Sequence, residues 1–270
     1  MNYIGSKYSL LNFIESTIKS IVGNNMSNLT FCDLFAGTGI VGRHFKQQVY
    51  KIISNDWEYY SYALNRNYIG NHREIVQKEQ YVERLNSLPG IDNGFIYTQY
   101  CLGGGNERQY FSDENGRKID AIRTTIEHWK KEKEISEDLY FFLLCSLIES
   151  ADKCANTASV YGAFLKKLKK TAQKPLIITP AHYQLNCNEH EVYNEDANEL
   201  IKKIESTLGP LEERLLLSGQ YDDSDALVEL HPGAGGTESC DWASMLYRMY
   251  TRWCEKNNKK IELLDYQDGE

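Results

Sequence analysis

The sequence predicts an α/β fold: a Rossmann-like parallel sheet carrying a helical and loop-rich insertion, then a small βαβ-like unit from residue 204 onward. Three observations predict it. The short apolar run at 30–35 (TFCDLF) ends in the glycine loop Ala36-Gly37-Thr38-Gly39. A second β-rich run at 49–54 (VYKIIS) ends in Asn55-Asp56. Between them lies a helical stretch reaching about Lys46. Strand, glycine loop, helix, strand and acid, in that order, make a nucleotide-binding βαβ unit.

The remaining elements follow from period and punctuation. Residues 6–22 place apolar side chains at helical spacing and read as an amphipathic helix. Residues 57–68 are helical again. Gly103-Gly104-Gly105 and 113–116 read as loops, 120–133 and 137–156 as helices, the second with a strongly apolar face. Residues 175–180 read as extended, 191–193 as a short strand, and 196–204 as a helix. Further on come a helix at 211–217, an acidic loop at 221–225, a strand at 226–231, a glycine-rich turn, a helix at 238–256 and a strand at 260–266.

Charge splits the chain at the same place. The net charge of −8, from 30 basic and 38 acidic residues, argues at face value against a polyanionic partner. Residues 1–203, however, carry 24 of each sign, and the whole excess lies in 204–270, with 6 basic and 14 acidic residues. Within the neutral part, 153–174 holds six lysines (Lys153, Lys166, Lys167, Lys169, Lys170, Lys174) and no acid. These lysines, interleaved with Tyr161 and Phe164, suit phosphate contacts, with Asn156 to Ser159 placed to reach base edges. A solvated helix face is the plainer reading of such a run.

The longest strongly apolar run, 140–148, is too short to span a bilayer, and no secretory signal is expected. Seven scattered cysteines show no zinc spacing, so reduced thiols, a cytoplasmic location and no metal are expected.

Gly37, Gly39 and Gly42 satisfy G-x-G-x-x-G, with Asp56 beyond them, so the loop by itself leaves a nicotinamide or flavin site open. Two further segments narrow the choice: Asn2-Tyr3-Ile4-Gly5-Ser6-Lys7 before the first helix, and Asn55-Asp56 after the second strand. With Asp33-Leu34-Phe35-Ala36-Gly37-Thr38-Gly39, these resemble the adenine-specific DNA methyltransferases of the GATC-methylase group. The resemblance implies S-adenosylmethionine as cofactor and double-stranded DNA as partner. It places Asp33, Phe35, Gly37 and Gly39 at the methionine end and Asp56 on the ribose hydroxyls. Tyr3 and Lys7 cover the amino-acid portion, and Asp196 meets the adenine. For Asp196 a simple acid at a helix N-terminus is the alternative. Residues 57–190 become the target-recognition insertion, with Lys153, Lys166, Lys167, Lys169 and Lys170 on the DNA.

The same family uses an Asp-Pro-Pro-Tyr tetrapeptide, with Asn or Ser allowed first, at the end of a later strand. The 270 residues contain no Pro-Pro pair. The expected methyltransferase sheet is therefore truncated before its catalytic strand, and no catalytic residue is assigned. The reason lies in a second resemblance. Leu216 to Gly219, Leu230-His231-Pro232-Gly233-Ala234-Gly235-Gly236-Thr237-Glu238-Ser239, Asp241-Trp242 and Met249-Tyr250-Thr251-Arg252-Trp253 resemble bacterial peptide chain release factor 2. That resemblance covers about 205–270, an interior fragment, and implies a ribosome partner as the alternative reading. The factor's Ser-Pro-Phe and Gly-Gly-Gln tripeptides are absent. The sequence thus reads as a chimera, with a partial methyltransferase domain over 1–203 and a partial release-factor domain over 204–270.

Overall fold

A computed structural model describes residues 7–157, 162–216, 225–232 and 237–265. The chain divides into two compact units, residues 1–206 and 207–270.

The first unit opens with a single 3-10 turn and α1 (Leu11–Val22), then β1 (Thr30–Asp33), α2 (Ile40–Phe45) and β2 (Lys51–Asn55). After α3 (Tyr59–Asn65) the chain winds through a π-turn, Arg66–Gly70. Four helices of the insertion follow: α4 (Lys78–Ser87), α5 (Phe95–Tyr100), α6 (Asp113–Lys131) and α7 (Glu137–Cys154). The chain then returns to the sheet as β3 (Glu191–Tyr193) and leaves it in α8 (Ala197–Leu216). The sheet is parallel, in the order β1-β2-β3, with Phe31 opposite Ile52 and Ser54 opposite Val192. All three strands therefore end on one side, where a Rossmann-like sheet binds its ligand.

Two main cores and a smaller cluster of Leu64, Tyr68, Cys145 and Ala181 hold the unit. Phe31, Ile52 and Val192 pack with Val41, Phe45 and Ile69 and with Leu11, Ile14 and Ile18 of α1. Gly42 permits this approach, since a Cβ there would come within 2.6 Å of Ile69 Cδ1. The larger core is helical and centres on α7, whose residues from Leu139 to Leu147 are all buried. Lys46, next to Phe45, is fully buried, and its ammonium donates to the carbonyls of Tyr68 (2.9 Å) and Asn71 (2.6 Å). Burial, with Arg43 nearby, pulls its pKa down to about 7.

Several expectations are corrected. Residues 113–116 are the first turn of α6, not a loop: Ser112 caps it by accepting from Asn115 N (3.3 Å), with Asp113 and Glu114 in the first turn. The polar helix α4 and the short aromatic helix α5 lie where no helix is expected. Residues 175–180 are extended without pairing; side chains satisfy their backbone, Asn115 Oδ1 accepting from Leu176 N and Asn86 Oδ1 from Ile178 N, each at 2.8 Å.

In the second unit the described residues hold α9 (Thr237–Lys256) and no strand. Among the described residues the expected βαβ-like arrangement is not seen: 226–231 and 260–265 are in no strand. An extended run without a neighbour to complete its hydrogen bonds is not a stable strand, and Leu227, Val228, Leu263 and Leu264 stay exposed. The helix at 211–217 is present to Leu216 as the end of α8. The acidic loop at 221–224 and the turn at 233–236 lie outside the described residues. Among the described residues no helix is long and apolar enough to cross a membrane.

Candidate functional site

The three strand ends are laced together by one side chain. Asn55, buried at the end of β2, donates to Leu34 O (3.2 Å) beyond β1 and to Glu195 O (3.1 Å) beyond β3. Its own Oδ1 accepts from Glu195 N (3.1 Å). A parallel sheet leaves such groups unpaired where its strands stop, and a short amide side chain can satisfy both sides at once.

The glycine loop is held from two directions. Asp56 Oδ2 accepts from Gly37 N (2.7 Å), while Oδ1 accepts from Glu58 N (3.0 Å) in the turn that leads into α3. From beneath, buried Asn65 donates to Gly37 O (2.9 Å) and Ser61 O (2.8 Å) and accepts from Ser54 Oγ (2.8 Å). Gly39 adopts a left-handed φ of 73°, and a Cβ there would collide with Asn65 Oδ1. Glycine is required here for both reasons.

Lys7 and Asp33 meet at the loop. The ammonium lies 3.1 and 3.3 Å from the two carboxylate oxygens of Asp33 and donates to Phe35 O (2.8 Å). Phe35 and Trp57, one beyond each of the first two strands, are about 70% exposed. Asn194 Nδ2 donates to the carbonyls of Asp56 and Trp57, each at 2.8 Å, fixing the segment that carries that indole. Asp196 is exposed and accepts from Asn198 N (2.9 Å), so it caps α8 while standing beyond β3. Lys7, Asp33, Phe35, Gly37, Gly39, Asp56 and Asp196 all fall at the strand ends; Tyr3 lies outside the described residues.

The lysine-rich segment is a built loop. Asn156, fully buried, donates through Nδ2 to Gln109 O (2.9 Å) and Leu165 O (2.8 Å), and its Oδ1 accepts from Lys169 N (3.0 Å). Its own N–H donates to Tyr110 O (2.7 Å). Asn156 therefore cannot reach a base, contrary to expectation, because every polar atom of its amide is used in the interior. Ser159 lies outside the described residues. Lys166, Lys167, Lys170 and Lys174 are exposed. Lys153 is exposed and donates to Thr179 Oγ1 (2.9 Å). Lys169 instead turns inward to Thr157 O (2.9 Å).

Residues 3–208 match the family described as D12 class N6 adenine-specific DNA methyltransferase. The chain belongs to that family. It is similar to the type II methyltransferase M.NlaIII of Neisseria lactamica, 59% identical over 204 residues, 76% of this chain and 61% of the relative. M.FokI of Planomicrobium okeanokoites is 39% identical over 213 residues, 76% of this chain and 32% of that protein. The chain thus spans less than two thirds of these curated relatives. A separate part is similar to peptide chain release factor 2 of Petrotoga mobilis, 59% identical over 71 residues, 26% of this chain and 19% of the factor. The chain therefore joins sequence of two families. No solved structure matches it.

Reading the sequence missed Asn65 and Ser54, gave Asn156 the wrong role, and left Asn55 without one. Asparagine in a sequence signals a turn, and only the fold reveals that these four side chains are buried.

Proposed function

We propose that residues 1–203 form the cofactor- and DNA-binding part of a site-specific adenine-N6 methyltransferase that uses S-adenosylmethionine. The observation that carries this reading is the meeting of an Asp33–Lys7 ion pair, a glycine loop and Asp56 at adjacent strand ends. That donor set fits the cofactor. Asp33 holds the ammonium of the amino-acid end and Lys7 its carboxylate. Asp56 uses one lone pair of each oxygen on backbone amides and keeps the others for the ribose hydroxyls. Asp196 accepts from the adenine amino group, and the exposed rings of Phe35 and Trp57 cover the apolar faces. When bound, the cofactor supplies a methyl group activated by a sulfonium.

The exposed lysines of 153–174 neutralise phosphates, and the target adenine leaves the duplex to be reached. Residues 57–190 serve as the target-recognition insertion. The chain as it stands does not transfer methyl groups, because no Asp-Pro-Pro-Tyr occurs in it. Without that amide or acid and the following carbonyl, nothing accepts hydrogen bonds from the adenine amine.

The test combines calorimetry with S-adenosylmethionine and methyl incorporation into duplex DNA. Binding without incorporation is expected. Incorporation would refute the inactivity, and absence of binding in a folded sample would refute the cofactor site. Ribosome binding through residues 205–270 is not favoured, since both working tripeptides of the factor are missing. Ribosome co-sedimentation would reverse that preference.

A further inference from the structure

The lysine loop is laced to a second exposed segment that sequence reading leaves as a plain glycine turn. Residues 102–110 leave α5, make a 3-10 turn at Leu102–Gly104 and present Asn106, Glu107 and Arg108 to solvent. The turn is anchored: Gly103 N donates to Asp113 Oδ1 (3.0 Å) and Asn106 Nδ2 to Thr98 O (2.7 Å). Glu107 takes a left-handed φ of 54°, and Arg108 after it is exposed. One amide nitrogen, Asn156 Nδ2, serves the carbonyls of both Gln109 and Leu165. The two backbone segments are thereby held side by side, and Arg108 and Lys166, the chain neighbours of those two residues, are both exposed. A run of edge-on rings continues beneath, Tyr100 to Tyr110 at 5.6 Å and Tyr110 to Phe164 at 5.2 Å, and the Arg108 guanidinium stands 5.7 Å from the Tyr100 ring.

Resting on the DNA-binding reading above, we propose that Arg108 is a specificity-determining residue that reads a guanine edge in the major groove, while the exposed lysines of 166–174 supply sequence-independent affinity. The chemistry separates the two roles. A lysine ammonium is a point charge on a flexible stem and suits phosphate. A guanidinium presents a planar fork that matches the two acceptors, O6 and N7, of guanine. Arg108 alone among these exposed cations has that fork, on a loop pinned at both ends, which preserves its direction at low entropic cost.

The test is selection of bound duplexes from a random-sequence library by the full chain, followed by anisotropy titration of the selected and an unrelated duplex. Wild type is expected to select a motif containing an invariant guanine. Arg108→Ala should lose preference at that one position and bind the selected duplex about 10- to 100-fold more weakly. It should change binding to the unrelated duplex by less than about 3-fold. Arg108→Lys keeps the charge and so guards against a folding defect; it should retain unrelated-duplex binding and lose discrimination. Lys166→Ala with Lys167→Ala should weaken both duplexes alike and make the salt dependence shallower. An unchanged motif and affinity in Arg108→Ala overturns the assignment while leaving DNA binding intact. Failure of wild type to bind any duplex overturns the DNA-binding reading, and this inference with it.

Discussion

If Asn65 and Gly39 form one unit, their substitutions will not add. Asn65→Ala removes three hydrogen bonds, to Gly37 O, Ser61 O and Ser54 Oγ, in a buried setting. At about 0.5–1.5 kcal/mol each, with partial cost for the unpaired groups left behind, the loss is about 3 kcal/mol. Gly39→Ala places a methyl group into Asn65 Oδ1 and holds an alanine at a left-handed φ. The conformation costs about 1 kcal/mol and the displacement of Asn65 about 2 more. In the double variant the methyl group occupies space the amide has left, so only the conformational cost remains. The sum of the singles is about 6 kcal/mol and the double should lose about 4, a coupling near 2 kcal/mol. Urea unfolding of the four proteins, extrapolated linearly, measures it. Additivity within about 0.5 kcal/mol would refute the claim that Asn65 and Gly39 share one space.

Three further outcomes follow from the same geometry. Lys7→Met removes an ion pair in which the lysine is 36% exposed; it should lower stability by less than about 1 kcal/mol yet weaken S-adenosylmethionine at least tenfold by calorimetry. His190 Nδ1 accepts from Ile52 N (3.0 Å), which requires a neutral ring. Burial, then the charges of Lys46, His72 and Lys51, lower its pKa from 6.5 to about 4. The unfolded chain therefore takes up the proton first, and stability should fall as pH drops from 6.5 towards 4, by up to about 2 kcal/mol after solvent screening. Urea midpoints across that window test this, with His190→Gln expected to flatten the profile. Asn156→Ala should release the lysine loop from residues 109–110, costing about 3 kcal/mol and speeding proteolysis within 162–174; unchanged cleavage would contradict its role as the loop's anchor.

How much was legible in the sequence varied with the physics of each element. The three strands were placed to within two residues, because apolar runs that end in a glycine loop or an acid have few other readings. All seven described positions expected to hold the cofactor lie at the strand ends for the same reason. The start of α6 was missed because Gly116 reads as a breaker, whereas it is small so that Cys101 can pack against it. The segments expected as strands at 226–231 and 260–266 have a β pattern, but their described residues pair with no other described strand. The least legible features were the buried asparagines, Asn55, Asn65, Asn115 and Asn156. Each satisfies backbone groups from distant segments, and nothing local in the sequence announces that.

The central claim is that the ends of β1, β2 and β3 form an S-adenosylmethionine site in a chain that joins methyltransferase and release-factor sequence. Isothermal titration of the full chain with S-adenosylmethionine, beside Asp56→Ala, tests it most directly. The account predicts saturable one-to-one binding by wild type and its loss in the variant, with both proteins unfolding cooperatively. No binding by a cooperatively folded wild type, or equal binding by Asp56→Ala, would contradict it.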